Sequence, residues 1–183
     1  IVSSIDDVET VVLDPEELFG YSQDADYNYV TSADEYIKQL FDVVVERHNA
    51  YKSNKGILPD DFDMHRIVII INSLTALYNK LDAERKEELE LIFEKGHEAL
   101  NISIIVSEPN SGVGSYKSKD WYKNNCLTSG IWIGDGIIDQ YVYTLNKRNS
   151  DYFKEIESDY GFVVNKGRAV LAKIIQSKYK EQR

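Results

Sequence analysis

Three polar residues stand where short apolar runs end. Asp14 follows residues 10–13, Asn72 follows residues 66–71, and Glu108 follows residues 102–106 by way of Ser107. An oxygen at such a strand end can ligate a metal, orient a water or cap the next helix. Other constellations carry less chemistry. His48, His65 and His97 include no pair at metal-ligand spacing, and there is no His-Glu-x-x-His run, so no metal centre is expected. No Gly-x-Ser-x-Gly elbow occurs, and Cys126 lacks the setting of a nucleophile. Asp60, Asp61 and Asp63 flank Phe62 without the other ligands of a calcium loop, and read as a solvated acidic loop. Gly112-Val-Gly114-Ser-Tyr-Lys117-Ser118 imitates a phosphate loop with the wrong spacing. Tyr116, Trp121 and Tyr122 cluster after Glu108, and Trp132 and Tyr141 follow. Such rings join large apolar area to a polar tip and are enriched at interfaces. Residues 112–132 are therefore a candidate protein-binding surface, with core edges as the alternative place for these rings.

The elements that must position these residues alternate in type. Residues 10–13 read as a buried strand closed by Asp14-Pro15. Residues 33–50 carry Tyr36, Ile37, Leu40, Phe41, Val44 and His48 on one helical face, behind a capping box at Ser32-Ala-Asp-Glu35. Residues 66–71 are a β-branched run, the mark of a central strand covered on both faces. A helical stripe of Leu74, Leu77, Tyr78 and Leu81 follows; Asp82 then caps a second helix bearing Leu89, Ile92, Phe93 and Leu100. Residues 102–106 and 130–133 read as strands, residues 119–125 as a short helix and residues 139–145 as a mixed element. Residues 160–165 and 168–175 form a hairpin around Lys166-Gly167. The sequence predicts one α/β domain over residues 1–183, with a mostly parallel sheet.

Charge limits the partners. The 183 residues hold 21 Lys+Arg against 31 Asp+Glu, a net −10. Phosphate binding needs a basic face, so nucleic acid is not expected as a partner. The acidity is uneven. Residues 1–110 carry 9 Lys+Arg against 23 Asp+Glu, a net −14; residues 111–183 carry 12 against 8, a net +4. That basic, aromatic end suits an acidic protein partner. The apolar runs are far shorter than the roughly 20 residues of a spanning helix. The start at Ile1, without Met or a signal-peptide pattern, reads as a cut from a longer polypeptide.

The order of these features resembles the FtsK/SpoIIIE type of P-loop ATPase domain. The likeness rests on Asp14-Pro15-Glu16 after a strand, the helix running to Arg47-His48, the Ile67 to Ile71 run, and Gly161 to Arg168 in the closing hairpin. Within that family the chain is most similar to the last, degenerate ATPase domain of type VII secretion coupling proteins. The resemblance implies a three-layer RecA-like fold, with ATP and Mg²⁺ as cofactors of the parent protein and none in this fragment. It also implies a cytoplasmic domain of a bacterial plasma-membrane protein. Implied partners are secreted proteins of the WXG100 or LXG kind, neighbouring ATPase domains and copies of the chain itself.

The departures from the family pattern bear on activity. Gly-x-x-x-x-Gly-Lys-Ser/Thr is absent. The Walker B pair, Asp-Glu in active members, is matched by Asn72 and Ser73, and the Thr-Gln sensor by Ser107 and Glu108. Asn72 lacks the charge that helps hold Mg²⁺, Ser73 lacks basicity, and Glu108 would repel a γ-phosphate. The expectation is an inactive domain used for substrate recognition or subunit contact. The alternative is an active motor whose P-loop lies upstream.

Overall fold

The structure, a computed structural model, describes residues 8–17, 28–30, 32–57, 59, 65–96, 100–109, 115–140, 142–146 and 149–174. The chain divides into two compact units, Ile1–Gly114 and Ser115–Arg183.

The first unit is built on a parallel sheet. Its strands are β1 (Val8–Leu13), β2 (Asn28–Val30), β3 (Arg66–Asn72) and β4 (Ile102–Ser107), in the order β2-β1-β3-β4. The β-branched run of β3 sits between β1 and β4, with Val11 opposite Ile69 and Ile69 opposite Ile104. Central parallel strands are covered on both faces, and Ile67, Val68, Ile69 and Ile71 are buried accordingly. β4 forms the sheet's edge among the described residues; its Ile105 is 48% exposed.

Among the described residues this unit also has three α-helices: α1 (Ala33–Ser53), α2 (Leu74–Lys80) and α3 (Ala83–Lys95). α1 buries Ile37, Leu40 and Val44 at helical spacing and packs on α3. Arg47, not His48, closes its buried stripe. The Arg47 guanidinium donates to the Leu100 carbonyl at 2.9 Å, which is how a charge survives burial there. Ser32 is the N-cap by position, but its side chain makes no capping bond, so the expected capping box does not form. Asp82 does cap α3, accepting from the Arg85 amide at 2.8 Å. Leu100 is buried but lies beyond α3, which ends at Lys95 before Gly96. β2 was not expected: three residues are too short to show a period. Asp60, Asp61, Asp63, His97, Gly112, Gly114 and Tyr141 lie outside the described residues.

The second unit holds α4 (Asp120–Cys126) and an antiparallel sheet of β5 (Gly130–Ile133), β6 (Tyr160–Asn165) and β7 (Arg168–Lys173), in that order. Lys166 and Gly167 both have positive φ, at 50° and 75°, the signature of a tight hairpin turn that follows the twist of its strands. A Cβ on Gly167 would stand 2.7 Å from the Thr144 carbonyl oxygen. One face of the sheet buries Phe162, Val164 and Ala169 with Ile137 and Tyr152. The other leaves Ile131, Ile133, Val163 and Val170 exposed. The expected α/β class, the parallel sheet and the closing hairpin are all present. No helix among the described residues is long and apolar enough to cross a membrane.

Ile69 touches both neighbouring strands and is 1% exposed, so Ile69→Ala opens a cavity at the sheet centre. The expected loss is about 2–5 kcal/mol in a denaturant titration of the first unit.

Candidate functional site

The carboxyl ends of the parallel strands converge on one buried carboxylate. Asp14, the residue after β1, has no exposed surface. Its Oδ1 accepts from Asn72 Nδ2 at 2.9 Å, and its Oδ2 accepts from the Tyr29 hydroxyl at 2.8 Å. Its backbone amide donates to the Val30 carbonyl at 3.0 Å. One side chain therefore joins the ends of β1, β2 and β3. A buried carboxylate without such donors would cost several kcal/mol.

The next residues form the N-terminus of α2. Ser73 sits in left-handed backbone, at φ 59° and ψ 82°, a conformation that costs a non-glycine residue about 1–3 kcal/mol. That turn sends the chain from β3 directly into the helix. Ser73 donates its amide to the Ser107 carbonyl at 2.9 Å and accepts from the Ala76 amide on Oγ at 3.2 Å. Glu108 reaches across from the end of β4, and its Oε1 accepts the Thr75 amide. Two of the orphan amides at the start of α2 are thus satisfied by side chains, one of them an anion matched to the helix dipole. Lys80 donates to the Pro15 carbonyl and ties the last turn of α2 to the segment after β1. Tyr78 donates to Glu90 Oε1 at 2.6 Å; burial, then Glu90, pushes its phenol up to about 12.

The four strand-end residues singled out from sequence, Asn72, Ser73, Ser107 and Glu108, come together here with Asp14. Tyr29, the Thr75 amide and Lys80 complete the cluster. Sequence reading missed Tyr29 because β2 carries no periodic signal.

The aromatic surface expected at residues 112–132 is corrected for three of its rings. Tyr116, Trp121 and Tyr122 are 1–2% exposed. They pack on one another, with centroids 5.1–5.8 Å apart, so large apolar area that favours interfaces is here consumed by the interior. Trp132 is half-buried against the core of the second unit, its indole donating to the Asp135 carbonyl at 3.0 Å. Cys126 is also partly covered; burial pushes its thiol up to about 11.

The sequence matches no family model and no curated protein. Solved structures do match. Two structures of EssC, its cytoplasmic domain and ATPases 2 and 3 from Geobacillus thermodenitrificans, superpose with TM-scores of 0.64 and 0.62. Each is 17% identical over 92% of this chain. The pCW3 conjugation coupling protein TcpA, in its monomer form with ATPγS, superposes at 0.66, with 15% identity over 91% of this chain and 51% of its own. Thermomonospora curvata EccC (ATPases 2 and 3), in complex with a signal sequence peptide, superposes at 0.54, with 10% identity over 93% of this chain and 31% of its own. The chain has the fold of an FtsK/SpoIIIE-type ATPase domain. It spans about a third of the EssC chains that it matches, 33% and 31%.

Mg²⁺ and ATP are what this fold implies, and the strand-end residues do not fit them. Asn72, matched to the Walker B acid by the resemblance alone, points its amide nitrogen, a donor, at Asp14 and brings no negative charge. Ser73 Oγ is engaged as a helix cap. Glu108 places a carboxylate on the helix terminus beside the sheet end, where a phosphate would be repelled.

Two outcomes follow. Asn72→Asp sets a second carboxylate against buried Asp14. Like charges raise the folded-state pKa of the pair. The variant is therefore expected to lose about 1–3 kcal/mol at neutral pH and to recover as the pH falls through that raised value, read from denaturant titrations across pH. Cys126, raised from 9.0 to about 11, should react with a thiol reagent at pH 8 roughly a hundredfold more slowly than an unhindered peptide cysteine. A rate equal to the peptide's contradicts the burial.

Proposed function

We propose that this chain is a degenerate ATPase domain of a type VII secretion coupling protein, without hydrolytic activity of its own. It serves as a cytoplasmic module that recognises secreted substrates or holds neighbouring ATPase domains. The observation that carries this reading is the Glu108 carboxylate on the N-terminus of α2, beside an Asn72 whose amide is turned toward Asp14. A hydrolytic site needs its strand-end groups directed at metal, water and phosphate. Here the same groups hold β1, β3 and α2 to one another.

The fold shared with EssC and EccC supports the secretion setting, and the peptide bound to EccC supports a substrate-reading role. Small helical secreted proteins of the WXG100 or LXG kind are the proposed partners. They would be recognised through a helix or tail laid on the domain. The net −14 of residues 1–110 argues against translocated DNA.

Two titrations test the reading on the full chain. Mg-ATP should give no heat of binding and no phosphate release, including in the longer parent when only this domain is left unmutated. A purified secreted substrate should bind in the micromolar range with the neighbouring ATPase domains present. Turnover that vanishes on changing a P-loop lysine of this domain's own would overturn the inactive reading. No substrate binding at high micromolar concentration would overturn the recognition reading.

A further inference from the structure

We draw no further inference here: the strongest candidate, the exposed aliphatic row of Ile131, Val163 and Val170 across the outer face of the β5-β6-β7 sheet, is an unpartnered apolar face, and nothing in the structure shows what covers it.

Discussion

The Asp14 carboxylate is the constraint around which the first unit is arranged. A fully buried anion must be surrounded by donors or it unfolds its own site. The Tyr29 hydroxyl from β2 and the Asn72 amide from β3 donate to it, while the Asp14 backbone amide donates to the Val30 carbonyl and ties the same residue to β2. Because Asn72 is held there, Ser73 must turn through a left-handed conformation to start α2. Because α2 starts there, its first amides face Glu108 at the end of β4. The strand ends form one connected hydrogen-bonded joint, and each member fixes the next.

This joint, at the carboxyl ends of the parallel strands, has the chemistry of a brace. In an active ATPase the strand ends must present charge toward a ligand, which leaves polar groups waiting for it. Here those groups bond to one another, and Ser73 takes up left-handed backbone between them. That internal bonding of the strand-end groups is what supports the proposed absence of hydrolysis.

Much of this was legible in the sequence, for a physical reason. Short continuous β-branched runs such as residues 67–71 favour buried strands, and polar residues immediately after such a strand lie at a sheet end. That placed Asp14, Asn72 and Glu108 together without coordinates. What was not legible depended on contacts distant in sequence. Tyr29 belongs to a strand of three residues with no period, 15 residues from the acid it bonds. Arg47 is charged, and only the Leu100 carbonyl, 53 residues away, makes its burial possible. Ser32 and Glu35 have the letters of a capping box, yet the backbone leading into α1 does not use them. Tyr116, Trp121 and Tyr122 show how composition misleads: the same amphipathic rings serve a core and an interface, and only packing decides which.

β4 carries a colloidal consequence. It is the edge of the parallel sheet among the described residues, its sequence Ile-Ser-Ile-Ile-Val-Ser has no charge and no proline, and Ile105 stands half in water. Edges of that kind are ordinarily guarded by a lysine, a bulge or a covering loop. Over residues 1–110 the excess of acids keeps copies apart by mutual repulsion. Acidification toward the isoelectric point of the whole sequence, near 4.8, weakens that repulsion and leaves the flank of β4 as the apolar edge, among the described residues, on which copies can meet.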